Sequence, residues 1–132
     1  MFLGQFEHQM DEKKRIAIPA RFRDRFEAPA FLTASPDGCI AVYTREGYES
    51  AYAEILALPT QDSAGRIARR RFFGQTHEVK KDAQGRLVIP AALIAHAGLT
   101  KDVVAVGAGE WFEYWDKDAW AVQDAALAAE AG

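Results

Sequence analysis

Cysteine is almost absent from this chain of 132 residues: Cys39 is the only one, so no disulfide can form within the chain. A single unpaired thiol is typical of proteins in a reducing compartment. The first residues, 1–5, also lack the basic and apolar regions of a secretory signal peptide. We therefore expect a cytoplasmic protein.

Long apolar runs are missing too, although 49% of the residues are hydrophobic. No run reaches the roughly 20 residues that a membrane-spanning helix needs, so we expect no membrane partner. Charged residues make up 27% of the chain, which is typical of folded globular proteins rather than of disordered ones. A chain of this length can bury roughly two thirds of its unfolded surface. One compact domain is therefore expected.

Signatures of catalysis are likewise missing. The sequence contains no phosphate-binding glycine loop and no Ser/His/Asp signature. Its histidines, His8, His77 and His96, lack the close spacing of metal ligands. Cys39 lies beside an apolar run and is interpreted as a small core residue. We therefore predict no enzyme, no metal site, no cofactor and no small-molecule substrate.

What the sequence does contain is a repeat at a spacing of 71 residues. The segment 11–20, DEKKRIAIPA, recurs at 82–91 as DAQGRLVIPA, with Asp, Arg, Ile, Pro and Ala in register. A hairpin pattern at 30–44 likewise recurs at 102–115. Repeated units of this size bury their apolar faces against one another. We therefore expect the two copies to share one core.

Each copy predicts a strand, a polar turn, a second strand, a proline and a short helix. Residues 5–10 and 15–18 are expected to pair as a hairpin, and residues 76–81 begin its equivalent. Pro19 and Pro90 should end the second strands, because proline has no N–H to donate to a ladder. Proline also suits the first position of a helix.

The turn itself should place one residue in the left-handed conformation. In the second copy that residue is Gly85, which adopts a positive φ without steric cost. In the first copy it is Lys14. The first turn is therefore either strained, by about 1 kcal/mol, or different in detail.

Three further helices are predicted from capping and breaking residues. Thr44 should cap a helix that ends before Pro59, and a second should open at Asp62 or Ser63. A last amphipathic helix is expected over residues 117–129.

Positive charge is concentrated near the two turns, although the chain as a whole carries −3. Residues 1–100 sum to +2, whereas residues 101–132 sum to −5. A carboxylate flanks each loop opposite an arginine, Asp11 with Arg15 and Asp82 with Arg86, and can orient the guanidinium across the hairpin neck. The cationic candidates for DNA binding at or beside the turns are Arg15, Arg86, Lys13, Lys14, Lys80 and Lys81.

One such turn alone is best explained as an exposed ion pair that stabilises the fold by ~0–1 kcal/mol. Two basic turns on one face match a repetitive polyanion, and arginines held in one orientation suit guanine and phosphate contacts. The run Arg69 to Arg71 has three interpretations: a solvated helix face, a phosphate contact, or a pair with Glu110 or Glu113 of a neighbouring chain.

The pattern Asp-x-x-x-Arg, followed by an apolar strand and Ile-Pro, is similar to the AbrB-type swapped-hairpin motif of bacterial transcription factors. Further segments match in the same order along the chain: Met1-Phe2-Leu3-Gly4, His77-Glu78-Val79 and Trp115-Asp116-Lys117. With two copies of the motif, the chain resembles the MraZ family over nearly its whole length. The family pattern in the first copy is Asp-x-Lys-Gly-Arg, so Lys14 replaces a glycine.

The resemblance implies an α+β fold in which two pseudo-symmetric AbrB-like swapped-hairpin β units share one β-barrel-like core with short peripheral helices. We expect four segments: the first motif at 5–47, connecting helices at 48–73, the second motif at 76–119, and the end of the C-terminal helix at 120–132.

The resemblance also implies a function, that of a nucleoid-associated repressor that binds double-stranded DNA sequence-specifically. The chains would form a ring-shaped homo-oligomer on direct repeats in the promoter of the division and cell-wall gene cluster, including the protein's own gene. The alternative is a self-assembling scaffold or protein-interaction module without DNA affinity, in which the Asp/Arg pairs join subunits.

Overall fold

The structure, a computed structural model, describes residues 1–131. In this range the chain forms eight strands, one 3-10 helix and four α-helices. In chain order they are β1 (Gln5–Gln9), β2 (Arg15–Ala17), the 3-10 helix (Ala20–Arg25), β3 (Ala30–Ala34), β4 (Ile40–Tyr43), α1 (Arg45–Leu56), α2 (Ser63–Gly74), β5 (Thr76–Val79), β6 (Arg86–Val88), α3 (Ala91–Ala97), β7 (Asp102–Gly107), β8 (Phe112–Asp116) and α4 (Lys117–Ala131).

The strands form two antiparallel sheets whose order reflects the sequence repeat. Six strands follow the order β1-β7-β8-β4-β3-β5, and β2 pairs with β6 in a separate ribbon. A shift of 71 residues exchanges β1 with β5, β7 with β3 and β8 with β4, which reverses the six-stranded order onto itself. In the ribbon, Ile16 lies opposite its own counterpart, Leu87. The two repeats are thus related by a pseudo-twofold axis.

The strand partners differ from the predicted hairpins. Residues 5–10 and 15–18 do not pair with each other: β1 pairs with β7, and β2 pairs with β6. The hairpin expected from residue 76 is absent in the same way, because β5 pairs with β3. Alternation of apolar residues determines which face of a strand is buried, but not which strand lies beside it. Each repeat therefore contributes strands to ladders with the other.

The expected barrel-like core is not a closed barrel. Within residues 1–131, the edge strands β1 and β5 each pair with a single neighbour, so the six-stranded sheet stays open. The core itself is shared, as expected, since one apolar cluster contains buried residues of both repeats. Its fully buried members include Phe2, Ile16, Leu87 and Phe112.

The predicted helices are present, and they begin and end close to the predicted residues. Thr44 caps α1, and its Oγ1 accepts a hydrogen bond from the Gly47 N–H at 3.1 Å. Helix α2 begins at Ser63 after Asp62. Gly98 ends α3 with φ +60°. A left-handed residue at this position satisfies the last carbonyls of a helix.

Helices α1 and α2 pack on the sheet through a second, aromatic cluster. The Tyr48 ring stacks on Phe31 at 4.7 Å and on Phe72 at 5.1 Å between ring centroids. Helix α4 has no buried side chain, and Leu127 on its predicted apolar face is 48% exposed. The last residue of the predicted segment 120–132, Gly132, lies outside the described residues.

No helix within the described residues combines the length and the apolar character that a membrane span requires.

Candidate nucleic-acid interface

The first turn is built around the carboxylate of Asp11. Asp11 Oδ1 accepts hydrogen bonds from the backbone N–H groups of Lys13 at 3.0 Å and Arg15 at 2.9 Å. Asp11 Oδ2 accepts a hydrogen bond from Arg15 Nε at 2.7 Å. The expected pairing of Asp11 with Arg15 is therefore present, and one carboxylate holds both the turn and the guanidinium.

The second turn repeats this arrangement. Asp82 Oδ1 accepts from the N–H groups of Gln84 and Arg86, each at 2.9 Å, and Asp82 Oδ2 accepts from Arg86 Nε at 2.9 Å. Arg86 Nη2 also donates to the Gln84 side-chain oxygen at 3.1 Å. This last contact has no counterpart in the first turn, where Lys13 occupies the position of Gln84.

Both turns use the left-handed conformation at the same position. Gly85 has φ +77°, and Lys14 has φ +63°. Lys14 is the only residue other than glycine with a positive φ among residues 1–131. Of the two alternatives for the first turn, the strained one therefore holds. Its cost is on the order of 1 kcal/mol.

Hydrogen bonding keeps both turn carboxylates ionised. The pKa of Asp11 is lowered, first by the backbone N–H of Arg15 and also by the Arg15 side chain and the Lys13 N–H. The pKa of Asp82 is lowered in the same way, first by the backbone N–H of Arg86. Each carboxylate therefore stays negatively charged, and each arginine keeps its partner, well below neutral pH.

The β2–β6 ribbon places the two turns side by side. The Ile18 N–H donates to the Gly85 carbonyl and the Ile89 N–H donates to the Lys14 carbonyl, each at 2.8 Å. Across the ribbon, Asp11 Oδ2 lies 3.9 Å from Arg86 Nη1. We call residues 11–15 and 82–86 the paired tips, because the ribbon joins the two turns and each of them carries an arginine.

The predicted lysines do not all lie at the paired tips. Lys13 and Lys14 are exposed in the first turn, and Lys80 is exposed just before the second. Lys81 Nζ instead donates to the carbonyl of Arg23 at 2.9 Å and lies 3.6 Å from Glu27. The Lys81 ammonium is therefore held on the 3-10 helix rather than at the turn.

Arg23 is a neighbour of the second tip that sequence reasoning missed. It follows the first turn in the chain, yet its side chain lies against Gly85 of the second turn. Only the exchange of strands between the repeats brings these two residues together, so no local pattern could have indicated the contact.

The weaker candidates lie away from the paired tips. Arg69 Nη2 donates to the carbonyl of Leu56 at 3.1 Å, which ties α2 to α1. Glu113 accepts hydrogen bonds from the indole N–H groups of Trp111 and Trp115, each at 3.0 Å.

Cys39 is fully buried, as expected, and burial raises the pKa of its thiol to about 12. Within residues 1–131, no group of His, Cys, Asp and Glu side chains could hold a metal ion.

Comparison with known proteins agrees with the duplicated architecture. The family model described as "MraZ protein, putative antitoxin-like" matches twice, at residues 1–71 and 72–131. The chain is 38% identical to the transcriptional regulator MraZ of Thermomicrobium roseum over 130 residues, which cover 98% of this chain and 92% of that protein.

Similar proteins occur in other bacteria. The transcriptional regulator MraZ of Heliobacterium modesticaldum is 38% identical over 120 residues, covering 91% of this chain and 84% of that protein. The transcriptional regulator MraZ of Leifsonia xyli is 36% identical over 132 residues, covering 97% of this chain and 92% of that protein. The chain therefore belongs to the MraZ family, a family of transcriptional regulators rather than enzymes, and carries two MraZ repeats.

Proposed function

We propose that this protein is a sequence-specific DNA-binding repressor whose paired tips contact double-stranded DNA. The observation that carries the proposal is the position of Asp11, whose carboxylate binds Arg15 and also lies 3.9 Å from Arg86. Two arginines, one from each repeat, thus lie beside the same carboxylate. A rigid fork of this kind suits bidentate contacts with guanine or phosphate.

The proposed roles follow from which atoms are already occupied. Nε of each arginine is bound to its carboxylate, and Arg86 Nη2 also donates to the exposed Gln84 side chain. Asp11 and Asp82 therefore orient Arg15 and Arg86, while the remaining Nη hydrogens reach base edges or phosphates. The exposed lysines are assigned to phosphates; they are Lys13, Lys14 and Lys80. The Lys81 ammonium, which is bound to the carbonyl of Arg23 in the 3-10 helix, adds positive charge, and we place it at the margin of the interface.

The repeats are proposed to be two AbrB-like swapped-hairpin units that form a pseudo-dimer within one chain. The pairing of β1 with β7 and of β2 with β6 supports this, because each ladder joins the two repeats. We place the first motif at 5–47, the connecting helices at 48–73, the second motif at 76–119 and the end of the C-terminal helix at 120–132.

Assembly into a ring is proposed to raise the affinity for DNA above the weak affinity of a single chain. Leu56, Leu58, Ile67 and Phe73 on or near α1 and α2 are each at least 37% exposed, and they supply apolar surface for subunit contacts. A ring with many paired tips raises the effective concentration at successive binding sites. Its proposed target is the set of direct repeats in the promoter of the division and cell-wall gene cluster, including the protein's own gene, in the nucleoid of the cytoplasm.

The proposal is tested by measuring binding to DNA from upstream of the protein's own gene as a function of salt. Arg15→Ala should weaken binding and lower the salt slope by about 0.9 for each phosphate contact that is lost. Lys117→Ala removes the same charge from an exposed position on α4 and is the matched control; it should change neither quantity. Unchanged affinity and slope in Arg15→Ala would contradict the assignment.

A scaffold without DNA affinity is the second candidate, favoured by the exposed apolar residues of α1 and α2 and by the acidic segment 101–132. In that case Asp11 and Arg15 would join subunits. Sedimentation of Asp11→Ala and Arg15→Ala separates the two functions. Loss of the oligomer, together with no DNA affinity in the unaltered protein, would favour the scaffold.

A further inference from the structure

We propose that Arg23 is a positioning residue for the second tip, whose side chain fixes the turn at Gly85 and through it the orientation of Arg86. This inference rests on the proposed function of the paired tips. Arg23 belongs to the 3-10 helix of the first repeat, so it would make the second tip depend on the first repeat.

The contact between Arg23 and Gly85 is close. A Cβ atom placed on Gly85 would lie 2.7 Å from both Cδ and Nε of Arg23, and 3.3 Å from its Cζ. Real Cβ atoms do not approach other atoms to 2.7 Å. The guanidinium end of Arg23 therefore occupies the space that any side chain at position 85 would need.

Arg23 is held in this position by hydrogen bonds that also reach the second turn. Its Nε donates to the Ile18 carbonyl at 2.9 Å, and the Ile18 N–H donates to the Gly85 carbonyl at 2.8 Å. The carbonyl of Arg23 accepts from Lys81 Nζ at 2.9 Å, directly before the second turn. The side chain and the backbone of Arg23 are thus both fastened beside residues 82–86.

The first tip shows why this contact matters at position 85. Lys14 holds the equivalent left-handed position with φ +63°, so the turn accepts a side chain there. The positive φ favours glycine at 85, and the space taken by Arg23 is a second requirement for it. The counterpart of Arg23 under the 71-residue shift is Ile94, an apolar residue packed against the core. The cationic support is therefore specific to the second tip.

A double-mutant cycle tests the contact through stability. Gly85→Ala should lower the urea midpoint of the full-length protein, because the new Cβ displaces Arg23 from the Ile18 carbonyl. In the Arg23→Ala background the same substitution should lower the midpoint by clearly less, since only the left-handed strain remains. That strain is common to both backgrounds and cancels in the comparison. Equal midpoint shifts in the two backgrounds would overturn the contact.

A second cycle tests positioning through affinity for DNA from upstream of the gene. It uses Arg23→Met, which keeps the apolar stem of the side chain. Arg23→Met should weaken binding roughly tenfold in the wild type and in Arg15→Ala, but should add little in Arg86→Ala. Equal losses in the Arg15→Ala and Arg86→Ala backgrounds would mean a merely structural role and would overturn the proposal.

The two cycles also separate this inference from the proposed function. If neither Arg15→Ala nor Arg86→Ala weakens binding, the DNA-binding function fails and the positioning role fails with it. The stability cycle would still report whether Arg23 and Gly85 are coupled. If both arginines matter but Arg23→Met leaves affinity unchanged, only the role of Arg23 is overturned.

Discussion

Asp11 and Arg86 meet across the two repeats, with the Asp11 carboxylate oxygen 3.9 Å from the Arg86 Nη1 atom. The same oxygen accepts the hydrogen bond from Arg15 Nε at 2.7 Å. No ion pair joins Asp82 to Arg15 within residues 1–131. The two carboxylates are therefore not equivalent: Asp11 contacts both arginines, whereas Asp82 contacts its own.

Asp11→Asn should therefore reduce DNA specificity more than Asp82→Asn. Each substitution keeps an oxygen for the backbone hydrogen bonds but removes the charge that orients the guanidinium groups. Loss of a negative charge favours non-specific binding, so the quantity to measure is the ratio of specific to non-specific affinity. We expect this ratio to fall roughly tenfold for Asp11→Asn and about threefold for Asp82→Asn. Equal losses would show that the contact with Arg86 has no role.

Stability should fall at acid pH because of the same two carboxylates. Their pKa values are lower in the folded protein than in the unfolded chain, where the value is about 3.9. Their contribution is therefore complete above about pH 5 and is lost as the pH falls through the lowered folded values. Urea unfolding at a series of pH values measures it. The variant carrying both Asp11→Asn and Asp82→Asn should show a flatter dependence below pH 4.

Lys14→Gly should separate stability from DNA binding. Glycine relieves the left-handed strain of about 1 kcal/mol but gains freedom in the unfolded chain, which costs about 0.4–1 kcal/mol, so we expect a net stabilisation of at most about 0.5 kcal/mol. The variant also loses one proposed phosphate contact, which should weaken binding and reduce the salt slope. Urea unfolding and a salt titration measure the two effects. A clearly destabilised variant would show that Lys14 carries less strain than the freedom of glycine costs.

Tyr114→Phe should loosen the ribbon that carries the paired tips. The buried Tyr114 hydroxyl donates to the Ala17 carbonyl at 2.8 Å, and it thereby ties β2 to the six-stranded sheet. Removing the hydroxyl leaves that carbonyl without this partner, at a cost of about 1–3 kcal/mol. Thermal unfolding measures the loss, and Tyr52→Phe on α1 is the control. Equal stability of Tyr114→Phe and wild type would contradict the assigned contact.

The two Asp–Arg turns could each be predicted from sequence because their geometry is local. Asp and Arg four positions apart are close enough to pair across a single turn, and the 71-residue repeat shows that the turn occurs twice. The partners of β1 and β2 could not be predicted, since an alternating strand fits any neighbour with a matching face. The contact of Arg23 with Gly85 and the hydrogen bond from Lys81 to the 3-10 helix depend on those partners and escaped prediction for the same reason.

Footprinting on DNA from upstream of the protein's own gene tests the central claim most directly. The wild type should protect short segments at regular intervals, because a ring of paired tips contacts successive repeats. The variant carrying both Arg15→Ala and Arg86→Ala should lose this protection while it remains folded. Regular protection that persists in the double variant would contradict the account, because the paired tips would then not be the DNA-binding surface.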